Sequence, residues 1–539
     1  MDTYDYIVIG SGFGGSVSAL RLAEKGYRTL VLEKGRRFAD HDFPKSNRNI
    51  RKYMWMPRLK CFGPQNMVFF KKAFVLGGVG VGGGSLIYAN THMVPPDAFF
   101  KNPVWSGFND WKTALLPFYE KAEFMLGTVP VTKFCREDDI LKEIAAEMGA
   151  ESTFKGVNVG VYFGDENESK DPYFKGLGPL RNGCRECAGC MIGCRYNAKN
   201  TLTKNYLYFA EKFGAEVFPE TLVTRIEHKD GLYYISTKKS TSWFNVQKRV
   251  YKSKGLIVSG GVLGTMELLL KQKYKYKTLS GLSSHLGKNI RTNSKSICGV
   301  TGARERLNNG VSITSIFAPD EHTHVEIVKY PDQSDGMRVF STLLTGKGSP
   351  VIRTLKLMGN MILHPIKLSR LFFGKNWASK SVLVMVMQTI DSSMVMALKK
   401  FPFSRLTLNY TSGKKPPTFQ EIGQSITKRY AEKVGGIPAN AISEVMFNMS
   451  TADHILGGCP MGTSKENGVI SKQFRVFGYP NMHILDGTII PCNIGVNRSL
   501  TITALSEYAM SLIPEKDGNT INTLEEQLAD RQKKTLFQN

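Results

Sequence analysis

The chain opens on a short apolar run, Tyr6-Ile-Val-Ile9, that stops abruptly at Gly10-Ser-Gly12-Phe-Gly14-Gly15. The residues that follow put Val17, Leu20 and Ala23 at helical spacing. Lys25-Gly26 ends that helix before a second apolar run, Thr29-Leu-Val-Leu32, closes on Glu33. Strand, glycine turn, amphipathic helix and strand make a βαβ unit of ordinary length. Gly255-Leu-Ile-Val258 repeats the strand-to-glycine transition, running into Ser259-Gly-Gly-Val-Leu-Gly264 and an apolar helix over 266–270. Apolar Val217, Phe218, Leu222, Val223 and Ile226 predict short strands between 215 and 250, and the region 382–390 predicts a buried strand. From about residue 514 the pattern turns polar and predicts a surface helix. Helix–strand alternation at both ends around a less regular middle predicts an α/β fold, a Rossmann-like domain interrupted by an α+β domain.

The first glycine cluster is candidate chemistry. Its glycines permit a tight turn and let backbone approach a pyrophosphate, while the following helix offers free N–H groups and a partial positive charge. Glu33 ends the next strand, where a carboxylate can accept from a ribose hydroxyl. A plain glycine turn packing a helix on a sheet is the competing reading, and the complete strand–turn–helix–strand context favours a dinucleotide. Position alone does not choose between FAD and NAD.

Composition adds size, charge and redox setting. The 539 residues, 42% of them hydrophobic, are enough for two domains sharing a large core. The formal net charge of +25 favours an anionic partner, membrane surface or nucleic acid, and the absence of any recognised DNA or RNA motif argues against nucleic acid. No apolar run approaches the roughly 18 residues that a membrane-spanning helix needs. The start, Met1-Asp-Thr-Tyr-Asp, lacks the basic and apolar regions of a secretory signal. Five of the 9 cysteines are scattered and four are clustered, which does not suggest a secreted disulfide framework. A reducing, cytoplasmic setting is expected, with peripheral membrane contact as an addition.

A second glycine tract, Gly77-Gly-Val-Gly-Val-Gly-Gly-Gly-Ser85, precedes Leu-Ile-Tyr-Ala-Asn90. Near the other end come His454-Ile-Leu-Gly-Gly-Cys-Pro460, His483-Ile-Leu-Asp486-Gly487, Gly495-Val-Asn497 and Thr501-Ile-Thr-Ala-Leu. At these residues the sequence resembles the glucose–methanol–choline (GMC) family of FAD oxidoreductases, and within it the cholesterol-oxidase-like branch. The motifs stand in the family's order from residue 1 to about 515.

That resemblance implies an FAD-binding domain made of residues 1–100, 200–295 and 451–516. A cap region with the cysteine cluster (101–199), a substrate-binding domain (296–450) and a tail (517–539) complete the expected organisation. It implies that Gly10, Gly12, Gly14 and Gly15 hold the FAD pyrophosphate and Glu33 the adenosine ribose. Gly83, Gly84 and Ser85 would lie against the flavin, Asp486 by the ribityl chain and Gly487 near the ring. Val223 and Asn90 complete the implied cofactor contacts, together with Asn497. This chain has Tyr88 where the family usually carries Asn, with Asn90 two positions on, and Arg498-Ser499 where cholesterol oxidases have Pro and Phe.

His454 and Asn497 match the family's catalytic pair. A neutral imidazole is suited to take or direct a hydroxyl proton near neutral pH, and an amide can hydrogen-bond the oxygen without adding charge. His285, His322, His324, His364 and His483 are read as structural. Glu326, in Val-Glu-Ile-Val-Lys-Tyr, resembles the carboxylate that moves a proton when a 5-ene-3-one becomes the conjugated 4-en-3-one. A salt-bridged strand residue is its ordinary alternative.

Cys184-x2-Cys187-x2-Cys190-x3-Cys194 has the spacing of a bacterial ferredoxin run, with Arg195 in place of the usual proline. An iron–sulfur cluster, another metal, or a reduced loop are the three readings. A cluster would pass electrons to an acceptor protein, making a dehydrogenase, whereas oxygen would serve as acceptor without it. Between Gly336 and Ile390 there is no Asp or Glu, yet eight Lys or Arg occur. Val351, Leu355, Met358 and Ile362 within it follow helical spacing before Pro365. Such a basic amphipathic segment either lies in a membrane interface or covers the substrate domain, and hydrophobic periodicity alone does not decide. The expected function is FAD-dependent oxidation of a sterol-like secondary alcohol. The alternatives are a dehydrogenase for another lipid alcohol and a membrane-associated flavoprotein with little turnover.

Overall fold

The computed structural model describes residues 3–244, 246–292, 295–389, 392–399, 404–411, 418–452 and 454–536. The opening apolar run becomes the strand Thr3–Ile9, buried along nearly its whole length. It lies between Thr29–Leu32 and Lys248–Val258, parallel to both. Glu216–Phe218 extends the parallel sheet on one side, and Met482–Ile484 pairs in parallel with Lys248–Val258. The antiparallel strands Leu232–Lys239 and Thr221–Lys229 continue it outward. Strands so buried on both faces read as continuous apolar runs, as parallel sheets require.

The helix Phe13–Glu24 packs on this sheet and against the late helix Ser499–Ser511, which in turn packs on Trp111–Met125. Gly14 makes the first approach possible: a Cβ there would stand 1.8 Å from the Leu485 carbonyl oxygen. Beyond it, the buried guanidinium of Arg21 pairs with Glu24, Glu507 and Glu525, and Tyr206 donates to Glu507 Oε1 at 2.7 Å. The polar tail is a helix, Leu524–Leu536, anchored by buried Leu524 and Leu528.

A second sheet is antiparallel throughout, in the order Ser341–Leu343, Ile437–Ala441, Ser296–Thr301, Val382–Gln388, Thr323–Val328, Ser315–Asp320 and Lys155–Gly156. Side chains alternate between its faces. Val325, Ile327, Val384 and Val386 pack toward the helices Arg136–Glu147 and Glu421–Val434. Glu326, Val328 and Met385 therefore share the opposite face, and Val328 and Met385 line the cavity that separates this sheet from the first. The basic segment after Gly336 forms two helices, Pro350–Leu363 and Pro365–Phe373; Ile390 itself lies outside the described residues. No helix of the described residues is long and apolar enough to cross a membrane.

Candidate active site

A cavity of about 350 Å³ runs between the two sheets and brings the ends of the chain together. Its floor includes Gly12, Gly84, Gly260, Asp486 and Gly487, and its far wall is apolar, from Ile297, Val328, Leu383 and Met385. His454, Asn497 and Arg498 stand at the same cavity.

The glycine cluster divides its labour. Gly10 has φ +96°, and a Cβ there would meet the Ser259 carbonyl oxygen at 2.3 Å; on Gly15 it would meet the Gly10 carbonyl oxygen at 2.0 Å. These two serve close packing, and Gly14 does so while also lining the cavity. Gly12 differs: it precedes the helix Phe13–Glu24, lines the cavity, and has nothing within 4 Å of where a Cβ would stand. No acidic residue occupies the helix's first turn. An open backbone at a helix N-terminus is the feature that admits a pyrophosphate. Glu33 is buried and accepts from Ser11 N, Ser11 Oγ and Gly35 N at 2.8–3.1 Å, so it holds the glycine loop as well as ending its strand.

The second tract packs directly on the first. A Cβ on Gly83 would come within 2.8 Å of Gly12 Cα, and Ser85 Oγ donates to Gly82 O and accepts from Leu202 N. Ser85 is thus a turn-fixing residue, with Gly84 rather than Ser85 facing the cavity. Lys199, fully buried, donates to the carbonyls of Leu86, Tyr88 and Cys190 and ties this tract to the cysteine segment. Burial brings its pKa down to about 7. Asn90, at φ +58°, is wholly buried and neither atom of its amide has a partner among the described residues. A buried amide left unsatisfied calls for a ligand or water. Tyr88 lines the cavity, and its hydroxyl lies 3.3 Å from His92 Nε2. His92 Nδ1 is 2.7 Å from Thr128 Oγ1, so both ring nitrogens are engaged, and burial holds its pKa down to about 3.

Asp486 accepts from Thr488 N and Oγ1 and from Thr265 Oγ1; burial raises its carboxyl pKa against those bonds. Backbone bonds from Gly457 N to Gly487 O and from Cys459 N to Thr488 O pin the His454 loop alongside it. Arg498 Nη1 donates to Ile455 O, clamping the residue after His454 to the residue after Asn497. Arg498 has a structural reason that the departure from Pro-Phe did not disclose.

Asn497 Nδ2 donates to Glu326 Oε1 at 2.8 Å, and His324 Nε2 lies 2.8 Å from the same oxygen. Glu326 is fully buried and its other oxygen, Oε2, has no partner among the described residues. A carboxylate from the second sheet and an amide from the late loop thus form one unit beside the cavity. His324 was read from sequence as structural. Its position two residues before Glu326 on one strand puts both on the same face, the only signal that could have found it.

Two further sets of expected site residues lie away from this cavity or outside any metal-binding group. At Cys184, Cys187, Cys190 and Cys194, as elsewhere among the described residues, no group of three or more His, Cys, Asp or Glu side chains is placed to hold a metal. Burial also raises the Cys184 thiol pKa and brings Cys187 to about 11, and Cys184, Cys190 and Cys194 pack on an apolar cluster with Val311 and Ile313. Val223 is a buried strand residue next to a break in register with Ser236 and Thr237, and it does not line this cavity.

A parallel nucleotide-type sheet with an open glycine cradle, facing a substrate-type antiparallel sheet across an imidazole, an amide and a carboxylate, defines a dinucleotide-dependent oxidoreductase. Family profiles described as GMC oxidoreductase match residues 179–293 and 412–506, and one described as an NAD(P)-binding Rossmann-like domain matches 8–42. A cholesterol oxidase of Mycobacterium tuberculosis (strain ATCC 25618 / H37Rv) is 42% identical over 95% of this chain and 91% of its own length. One from Acinetobacter baumannii is 42% identical over 97% and 96%. A long-chain-alcohol oxidase, FAO4B of Arabidopsis thaliana, is 23% identical over 96% and 68%. In structure, pyridoxine 4-oxidase from Mesorbium loti superposes with a TM-score of 0.59 at 13% identity, covering 94% of this chain and 99% of that one, a likeness of fold. The chain belongs to the GMC oxidoreductase family, in its cholesterol-oxidase-like branch, and is an FAD-dependent enzyme acting on CH–OH groups.

Proposed function

We propose that this enzyme oxidises the 3β-hydroxyl of a sterol-like alcohol to a ketone, and then shifts a 5-ene double bond into conjugation. The observation that carries the reading is the Asn497–Glu326 pair: a buried carboxylate with one oxygen held and one unpaired among the described residues, joined to a cavity whose outer wall is apolar. The names of the 42%-identical relatives agree with it.

FAD supplies the hydride acceptor when bound, and Gly12, Glu33, Asn90, Asp486 and Gly487 are the residues that would hold it. The chain's own groups do the rest. Apolar Ile297, Val328, Leu383 and Met385 would receive the hydrocarbon body and exclude water. His454 takes or directs the hydroxyl proton, and Asn497 keeps the oxygen hydrogen-bonded. After oxidation, Glu326 removes a proton from carbon 4 and returns one to carbon 6. Molecular oxygen is the acceptor we assign.

The test is an anaerobic absorption spectrum of the purified holoenzyme before and after adding a 3β-hydroxysteroid. Bleaching of the flavin bands, reversed by air, is expected, and His454→Ala should keep its flavin yet bleach at least a hundredfold more slowly. Flavin bands unchanged in the wild-type protein would remove the sterol substrate and send the search to other lipid alcohols.

A further inference from the structure

The helix Pro350–Leu363 is turned opposite to an ordinary surface helix. Its protein-facing stripe is Arg353, Leu357 and Asn360: Arg353 is buried, donating to Thr418 O and Glu444 O, and Asn360 Nδ2 donates to Leu344 O. The apolar stripe Val351, Leu355, Met358 and Ile362 points away from the protein and is 57–78% exposed. The next helix, Pro365–Phe373, is anchored through Leu371 and leaves Ile366 and Phe373 uncovered on the outside. An apolar face this size left to water marks an interaction site.

Charge and position say what covers it. Lys347, Lys356, Lys367, Arg370 and Lys375 are exposed around the two helices, and no acidic residue occurs from Gly336 to Ile390. Apolar side chains ringed by exposed cations, none of them in an ion pair among the described residues, suit the headgroup and acyl boundary of an anionic bilayer. Another protein's surface would ordinarily be met by charges of both signs. The pair also packs on the segments Asp335–Phe340 and Ser341–Leu343, from which Met337, Phe340 and Ser341 line the cavity.

We propose that the helix pair 350–373 is a membrane-docking face that seats its apolar stripe in an anionic leaflet and places the Met337–Ser341 wall of the cavity at the lipid surface. A lipid alcohol then passes from leaflet to cavity with little exposure to water. The docking stands on the surface alone, while its purpose rests on the sterol reading above.

The experiment is co-sedimentation of the holoenzyme with vesicles of phosphatidylcholine alone and of phosphatidylcholine mixed with phosphatidylserine. The wild-type protein is expected to bind the mixed vesicles, less at high salt and less to the neutral ones. Each large aliphatic side chain moved from water to lipid contributes about tenfold in partitioning, so L355E with I362E should lower binding at least a hundredfold. Flavin content and turnover of detergent-dispersed substrate should be unchanged in that variant, because neither side chain touches the cavity. If the double variant loses its flavin, K367E with K375E decides instead, by abolishing the preference for phosphatidylserine. Wild-type protein left in the supernatant, or variants binding equally well, would overturn the proposal. So would a dimer that the same substitutions dissociate in the absence of any vesicle binding, since the face would then belong to a second copy. Vesicle binding without sterol turnover would keep the docking face and dismiss the substrate.

Discussion

Exchanging Glu326 for Gln separates the two halves of the proposed reaction. The side chain is isosteric, so no cavity opens, and its oxygen can still accept from Asn497 Nδ2, now 2.8 Å from Glu326 Oε1. What changes is charge. Hydrogen bonds to a charged group contribute about 1.5–3 kcal/mol against about 0.5–1.5 for neutral ones, so the two bonds at Oε1 each weaken by about 1 kcal/mol. The buried carboxylate's own desolvation cost disappears at the same time, leaving net stability within about 2 kcal/mol of the wild type. The catalytic effect is larger. A positioned base contributes about 10²–10⁴ in rate, equivalent to about 3–5 kcal/mol of barrier. Isomerisation should therefore fall by at least about a hundredfold while alcohol oxidation changes less than about tenfold. Flavin bleaching and the absorbance of the conjugated enone report the two steps separately, and the unconjugated 5-en-3-one should accumulate. Enone forming at the wild-type rate in this variant would refute the assignment. H324L, which removes the other partner of Oε1, should lower the kcat of isomerisation about tenfold with KM unchanged, and H324Q should restore most of it.

Further expectations concern the cofactor cradle and pH. G14A should destabilise the first domain by at least about 2–3 kcal/mol, seen as a lower Tm and flavin lost on gel filtration, because its Cβ would overlap the Leu485 backbone. G12A has room for its methyl group and should fold normally yet bind FAD more weakly, as titration of apoprotein with FAD would show. Burial pushes Glu444 up to about 8, despite hydrogen bonds from Ile297 N and Ser296 Oγ and the nearby Arg353. The native state then holds this proton over a range where the unfolded chain has released it. Stability should decline as pH rises from about 4.5 to about 8, by up to roughly 3–5 kcal/mol, and level off above. Melting curves across that range check it, and E444Q should flatten the decline.

The cofactor half of the fold was readable because its signals are local. Gly10, Gly12, Gly14 and Gly15 lie next to the strand and helix they join, and an amphipathic helix between two apolar runs leaves few alternatives. The catalytic constellation was not local. His454, Asn497 and Glu326 could be singled out only through family resemblance, since nothing in their immediate neighbours shows that an amide over a hundred residues away meets the carboxylate. His324 escaped because strand-face alternation becomes informative only once the neighbouring face is known. The cysteine run leaves its readings open for a related reason: ligand spacing is necessary for a cluster, but convergence depends on backbone turns such as the positive φ of Glu186 and Ala188. The helix at 350–363 displayed its apolar stripe plainly. Which way that stripe faces was fixed by Arg353 and Asn360 finding backbone acceptors inward.

The ion-pair knot at Arg21 also bears on how the protein comes into being. Arg21 meets Glu507 across 486 residues of chain, and the Asp486 loop that borders the glycine cradle follows a strand contributed just before it. During synthesis the amino-terminal βαβ unit must therefore wait, with Arg21 lacking Glu507 and the Gly14 contact unmade, until the chain has been translated past residue 507. The cradle is consequently completed late, and its half-built form is the interval in which a chaperone or a protease would find this protein.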